Sequence, residues 1–436
     1  MKATGDYTAR NVEQSVYTDT RNSVVLHARS PSPPEKRLRS GSRRRKISIS
    51  ADETLSREFR AKYGRMLESL VSEFYDPVAL GNSTLDSMPE FLAAEELDIL
   101  PKAKLQARPQ MRPDVLVIGA GPTGLACAIE AQKIGLKVIV LDKGCLVNSL
   151  FHYPANMVFF TTPELLEIGD IPFTTAQQKP NREEALEYYR KVAEHYELDV
   201  RQYEWVKTVM GEDGDFSITA TDRAGRPHDY HVKKVIVSTG YYDLANQLNI
   251  PGEDLPKVSH YYGEPHPYYD TDVLVIGGKN SAAIAALDLW RHGARVTLVH
   301  RESQVHHHVK YWIKPDLENR IKAGEIEAYF NSSVQEIGVD HVVIVTPHGP
   351  MRLKNDFVLA LIGYHPDYDF LRSMGIELSE QQHRPVCDPV SLESNVRGIY
   401  VAGVIVAGSR TNEIFIENGR FHGKQIAADL KLKLKP

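Results

Sequence analysis

Two stretches of this chain share one pattern of apolar and polar positions. From residue 114 it reads DVLVIGAGPTGLACAIEAQKIGLKVIVLDKG, and about 160 residues later TDVLVIGGKNSAAIAALDLWRHGARVTLVHRE repeats the order. In each, four successive apolar residues run into a glycine turn, a helical stretch and a second apolar run. Runs that are apolar throughout predict strands buried on both faces. A strand, glycine turn, helix and strand taken twice predict an α/β protein with two Rossmann-like dinucleotide-binding domains, the second inserted into the first. The expected bounds are 113–256 and 367–436 for the first domain and 257–366 for the second.

A different pattern precedes them. Leu55, Phe59, Tyr63, Met66, Leu67, Leu70 and Phe74 recur at helical spacing and give one apolar face. Ser50 or Asp52 is placed to cap that helix. Residues 55–112 are therefore expected to form a helical extension and a linker. Residues 1–54 carry little that a core could use. Between 29 and 50 the chain has eight Lys/Arg against one Glu among Pro, Ser and Gly, which predicts a disordered, solvated basic tail.

Composition narrows the function classes. With 436 residues and a net charge of -5, the chain has room for two or three domains but lacks the basic excess of a nucleic-acid binder. No apolar run reaches the roughly 18 residues of a membrane-spanning helix, and a cytoplasmic protein is the simplest expectation. Three cysteines, Cys127, Cys145 and Cys387, are far apart in sequence and offer no CxxC pair, zinc spacing or disulfide framework.

In the first glycine turn, Gly119 permits the tight bend, Gly121 lets the backbone approach a pyrophosphate, and Gly124 lets the helix pack on the strand. The helix N-terminus presents free N–H groups to that pyrophosphate. The second strand ends in Asp142, 23 residues after Gly119, where a carboxylate can accept both ribose hydroxyls of an adenosine. Pro122, Lys143, Asn148 and Ser149 complete the expected FAD contacts on this side.

The second turn is Gly277-Gly278-Lys279-Asn280-Ser281-Ala282, with Lys279 where a middle glycine is usual. Gly277, Lys279, Asn280 and Ser281 are the candidate cofactor contacts. Here the residue 23 positions on is His300, followed by Arg301. Neither is acidic, so they would repel nothing anionic there, and Arg301 with help from His300 could hold a 2′-phosphate, which favours NADPH over NADH. His306, His307 and His308 follow. Adjacent histidines in a loop are expected to point in different directions, and no acidic or Cys partner is evident, so no metal is expected.

Two apolar strands, at 235–243 and 356–367, run into glycine as connections between the two domains would. Thr239 and Gly240 belong to the first. Near the C-terminus GIYVAGVIVAGSRTNEIFIENGRFHGKQIAADL predicts a strand, a glycine turn at Gly403 and a helix starting near Thr411 or Asn412. Asn412, Glu413 and Ile414 would put that helix end at the flavin, where its dipole favours the anionic reduced form.

The tandem layout resembles the thioredoxin-reductase-like flavoproteins with two dinucleotide-binding domains. More closely, VIGAGPTGLACAIE, EIGDIPF, VSTGYYD, VIGGKNSAA, IGYHPD, VAGVIVAG and NEIFIENGRFHG resemble the YpdA-type bacillithiol-disulfide reductase family. The likeness runs from Asp114 to roughly Leu430 and leaves out residues 1–112. It implies FAD, NADPH, a small-molecule or small redox-protein acceptor, and a homo-oligomer. Lys279 and Val404 are as in that family. One departure stands out. Disulfide-reducing members carry a cysteine in the first turn, as GPCG, where this chain has Thr123. Cys127 lies one helical turn on, on the same face. Thr123 and Cys127 are thus the two catalytic candidates, with Cys127 also read as a small packing residue. The resemblance implies NADPH-dependent FAD reduction followed by reduction of a thiol disulfide. An electron transferase serving ferredoxin, flavodoxin or a quinone needs no cysteine and is the main alternative. A flavin monooxygenase fits poorly around Tyr261 to His266, and a flavin-binding sensor would leave one dinucleotide site without use.

Overall fold

The computed structural model describes residues 112–434 together with two short strands, β1 (Val16–Thr18) and β2 (Val24–Leu26). These two pair antiparallel with each other, a pairing the composition of that stretch does not predict. The rest of the expected tail, and the helix expected over 55–75, lie outside the described residues.

In the main body β3 (Val115–Ile118), helix α1 (Pro122–Lys133) and β4 (Val138–Asp142) form the first strand–turn–helix–strand unit. Helix α2 (Arg182–His195) leads into β5 (Asp199–Gln202). An antiparallel trio follows, β6 (Trp205–Glu212), β7 (Asp215–Thr221) and β8 (Pro227–Val232), before β9 (Lys234–Val237) rejoins the main sheet. The chain then enters the insertion. There β10 (Val258–Ser259), β11 (Asp272–Ile276), α3 (Asn280–Arg291), β12 (Arg295–Val299), α4 (Lys314–Lys322) and β13 (Glu327–Tyr329) repeat the design. A second antiparallel trio, β14 (Ser333–Ile337), β15 (His341–Thr346) and β16 (Gly349–Lys354), precedes β17 (Phe357–Ala360). The return supplies β18 (Ile399–Val401) and α5 (His422–Lys433).

Two five-stranded parallel sheets result, in the orders β18-β9-β3-β4-β5 and β10-β17-β11-β12-β13. In each, the strand before the glycine turn is central, so its side chains are covered on both faces. Val115, Leu116 and Val117 are wholly buried, as is Val275 in the second sheet. This is why both strands read as unbroken apolar runs. The antiparallel trios read differently. In β7 only Phe216, Ile218 and Ala220 are buried, on alternate residues, because one face alone meets the core.

Helix α1 is built from small residues because it is packed closely from two sides. A Cβ on Gly124 would lie 1.9 Å from the Gly119 carbonyl oxygen, and a Cβ on Gly423 of α5 would lie 2.7 Å from the Ala126 carbonyl oxygen. The connections between the two sheets run side by side. Ala245 bridges Tyr364, Asn246 N–H donates to Gly363 O (3.0 Å), and His365 N–H donates to Leu244 O (2.9 Å). Tyr242 and Tyr261 pack on Tyr364 there, with ring centroids 4.6 and 5.4 Å away.

One expected element starts elsewhere. The helix expected from Thr411 or Asn412 begins at Ile416 as a single turn, Ile416–Gly419, ahead of α5. Asn418 holds the preceding loop open: its Oδ1 accepts the Phe415 N–H (2.8 Å) and its Nδ2 donates to Glu413 O (2.9 Å). Among the described residues, no helix is long and apolar enough to cross a membrane.

Candidate functional site

The two glycine turns open into one cleft of about 1350 Å³, lined from both sheets and from the C-terminal loop. A pocket for one small ligand measures roughly 300–1,000 Å³, so this cleft has room for more than one. Gly119, Gly121, Pro122, Thr123, Asp142, Lys143, Asn148, Ser149, Thr239 and Gly240 line it from the first sheet. Gly277, Lys279, Asn280, Ser281, His300 and Arg301 line it from the second, and Gly403, Asn412 and Ile414 from the C-terminal segment.

The first turn is shaped by close packing around its ends and left open at its middle. A Cβ on Gly119 would lie 2.5 Å from the Ser238 carbonyl oxygen, at a φ of +105° that favours glycine. By contrast a Cβ on Gly121 would meet no protein atom within 4 Å. Nothing in the protein therefore demands a glycine at 121, and the open space above it suits a group that approaches the backbone. Ser238, which the sequence reading passed over, locks the turn by donating to the carbonyl oxygens of Ile118 and Gly119, both at 3.0 Å.

Asp142 is tied to the same turn. Its Oδ2 accepts the Ala120 N–H (2.7 Å) and its Oδ1 the Gly144 N–H (2.8 Å). Burial nonetheless pushes its carboxyl above the ordinary aspartate value, against the pull of those two bonds. Lys143 is held by Asp243 at 3.1 Å, which fastens the end of β4 to the first connection. Asn148 fills the space a Cβ on Gly144 would need.

The helices that start at the turns are left uncapped. Neither α1 nor α3 has a side-chain cap or an acidic residue in its first turn. Among the other helices α2 has a capping box from Asn181 and Glu184, with Glu183 beside it, while α5 likewise has no side-chain cap, so it is the placing of the α1 and α3 ends on the cleft that sets them apart. Free N–H groups and a positive helix end at two points of one cleft form two anion sites of the kind a pyrophosphate takes.

The second turn explains its own departure. Lys279 has φ −99° and is exposed, an extended conformation open to any residue. Packing requires glycine at the two positions before it: a Cβ on Gly277, at a φ of +139°, would lie 2.5 Å from the Leu361 carbonyl oxygen, and one on Gly278 would lie 2.3 Å from His300 Nε2. His300 is therefore buried beneath the turn, and burial lowers its pKa, so its ring is neutral near pH 7. His300, expected to help hold a 2′-phosphate, therefore brings no charge to it. Arg301 is exposed, lines the cleft and forms no ion pair among the described residues, whereas the Glu302 carboxylate lies 3.6 Å from His300.

Several other expectations are revised. Cys127, one of the two catalytic candidates, is 1% exposed in the seam between α1 and α5 and does not line the cleft. Burial pushes its thiol up to about 12. Thr123 does line the cleft, packed so closely that a Cβ on Gly403 or Gly419 would come 3.3 or 3.1 Å from its Oγ1. Gly124 sits behind the turn, and Glu413 faces away from the cleft to Arg384 and Arg410. The three histidines do not diverge. A turn closed by Val309 N–H donating to His306 O (3.1 Å) brings their rings together, with centroids 4.1 to 5.0 Å apart. The tyrosines at the connections, with Tyr153 beside them, were not among the expected site residues, although the Tyr241-Tyr242 pair next to Gly240 was the available signal.

Comparison with known proteins agrees with this layout. The model of the pyridine nucleotide-disulphide oxidoreductase family matches residues 116–403. The chain is 44% identical over 316 residues to the bacilliredoxin reductase Bdr of Bacillus subtilis (strain 168), covering 72% of this chain and 96% of that one. Among solved structures, it resembles the bacillithiol disulfide reductase Bdr (YpdA) from Bacillus cereus with a TM-score of 0.73 at 44% identity, over 74% of this chain and 99% of that one. The corresponding protein from Staphylococcus aureus gives a TM-score of 0.71 at 41% identity, with the same coverage.

Proposed function

The chain belongs to the pyridine nucleotide-disulphide oxidoreductase family, and from that premise we propose that it is a YpdA-like reductase that takes hydride from NADPH into FAD and passes electrons to an acceptor without cysteine chemistry. The observation that carries this reading is the shared cleft, onto which two uncapped helix ends and two glycine turns open. The first turn, Asp142 and the Thr239-Gly240 loop suit FAD. The second turn and Arg301 suit NADPH. Bound there, FAD would accept hydride from the nicotinamide and release electrons one or two at a time.

What the chain itself supplies is binding, charge and the exclusion of a thiol route. Thr123 stands where disulfide-reducing relatives place their cysteine. An unactivated hydroxyl is a poor nucleophile, and Thr123 Oγ1 has no base hydrogen-bonded to it among the described residues. Cys127 cannot stand in. Burial pushes its thiol up to about 12, so it stays protonated near neutral pH, and it is walled off from the cleft. Thr123 instead fills the turn against Gly403 and Gly419. The Gly403 N–H donates to His422 Nδ1 (3.0 Å), which fixes the C-terminal loop beside it.

The test is reduction by NADPH followed by reoxidation with disulfides, ferredoxin, quinone, ferricyanide and oxygen in turn. Cys127→Ser is expected to keep ferricyanide reduction within about twofold of wild type, since a buried packing residue contributes nothing to electron flow. Thr123→Cys is expected to create or enhance disulfide reduction, because a thiol at that helix end has its pKa lowered. Efficient reduction of bacillithiol disulfide by the wild type that Cys127→Ser abolishes, or a mixed disulfide trapped on Cys127, would overturn the assignment.

A separate expectation concerns the basic segment. Residues 1–54 hold no cofactor motif, so their removal should leave FAD content and the rate of flavin reduction within about twofold of full length. A tenfold loss would show that this segment takes part in the reaction.

A further inference from the structure

The loop after β12 carries a feature that hydride transfer does not use. His306, His307 and His308 each offer a ring nitrogen, and those atoms all lie within 4.8 Å of one another. In an extended strand successive side chains point to opposite faces and could not converge in this way. Here the turn from His306 to Val309 puts three consecutive residues on one outer surface.

The loop is fixed at both ends. Val305 and Val309, which flank the trio, are 2% and 4% exposed. The His306 N–H donates to Gly278 O (3.1 Å). Asn280 clamps the far side, with Nδ2 donating to His308 O (3.2 Å) and Oδ1 accepting the Lys310 N–H (3.0 Å). The trio is therefore held on the nucleotide-binding turn, with His306 half-buried and lining the cleft while His307 and His308 are exposed.

We propose that His306, His307 and His308 form a binding site for a divalent transition metal of the zinc class on the loop that braces the second glycine turn. Neutral imidazole is the commonest protein ligand for such ions, and three of them leave a fourth position for water or a carboxylate. In the metal-free arrangement the His308 N–H donates to His306 Nδ1 (3.1 Å). That bond would be exchanged for the metal, and small rotations of the exposed rings of His307 and His308 complete the set. Protonated, three rings this close would repel one another, which favours a cation between neutral rings over an anion between charged ones.

The test is calorimetric titration of the full-length, tag-free, FAD-loaded protein with Zn2+ alone, in wild type and in His307→Ala/His308→Ala. Both substituted side chains are exposed, so the variant should fold, and unchanged flavin absorbance would verify it. One Zn2+ per chain is expected in the wild type, with affinity at least about tenfold weaker in the variant, a difference of about 1.4 kcal/mol. No stoichiometric binding in the wild type, or equal binding in the variant, as would follow if Cys145 or Cys387 were the ligands, would overturn the proposal.

Discussion

Arg301→Ala is expected to raise the Michaelis constant for NADPH by about 10- to 100-fold and to leave that for NADH nearly unchanged. Hydrogen bonds to charged groups contribute roughly 1.5–3 kcal/mol, and each 1.36 kcal/mol is a factor of ten. Arginine suits a phosphate because its planar fork gives two directed, charge-assisted bonds. On the proposed reading this role falls to Arg301. His300, its neighbour, is buried beneath Gly278 and neutral, so it cannot share the charge. Arg301 has no competing carboxylate among the described residues, since the Glu302 carboxylate lies by His300. Steady-state rates with both nucleotides decide the matter. Equal wild-type preference for NADH and NADPH, or no change on substitution, would contradict it. Arg301→Lys should fall between the two, because lysine keeps the charge and loses the fork.

Asp142→Ala is expected to weaken FAD binding by about 1–3 kcal/mol, roughly 5- to 150-fold. Two contributions add in the structure. The carboxylate sits at the end of β4, where it can accept from ribose hydroxyls, and it already accepts the N–H groups of Ala120 and Gly144. Removing it therefore also loosens the turn that must receive the pyrophosphate. Asp142→Asn separates the two roles, since an amide oxygen can keep one of the backbone bonds. Dissociation constants from flavin fluorescence, with thermal unfolding of the flavin-free proteins, measure each part. FAD affinity unchanged in Asp142→Ala would remove Asp142 from the site.

Much of this layout was legible because it depends on local rules. A parallel strand covered on both faces must be apolar throughout, so 115–118 and 273–276 identify themselves. A turn that brings backbone close to backbone must be glycine, and Gly119 and Gly124 stand where a Cβ would collide with the Ser238 and Gly119 carbonyl oxygens. The acid at the end of β4 follows from a fixed spacing.

What escaped notice depends on contacts between distant residues. That His300 supports the turn from beneath is visible only once β12 lies beside β11 and its ring meets Gly278. That Cys127 is sealed off follows from α5, whose Gly423 lies against Ala126 nearly 300 residues later in the chain. The C-terminal helix start shifted by four or five residues because Asn418 reaches back to Glu413 and Phe415, a side-chain detail with no periodic signature. The convergence of the three histidines rests on a turn whose ends are anchored by Val305 and Val309, which a run of identical polar residues conceals. The antiparallel trios β6–β8 and β14–β16 carry no glycine fingerprint, and although β7 alternates buried and open residues, β6 and β14 do not.

The most direct test of the central claim is anaerobic mixing of the purified full-length protein with NADPH while the flavin absorbance is followed. The account predicts that the protein is yellow with about one FAD per chain, that NADPH bleaches it faster than NADH, and that Cys127→Ser bleaches at the wild-type rate. A colourless protein that cannot be reconstituted with FAD, or a bound flavin that NADPH does not reduce, would contradict it.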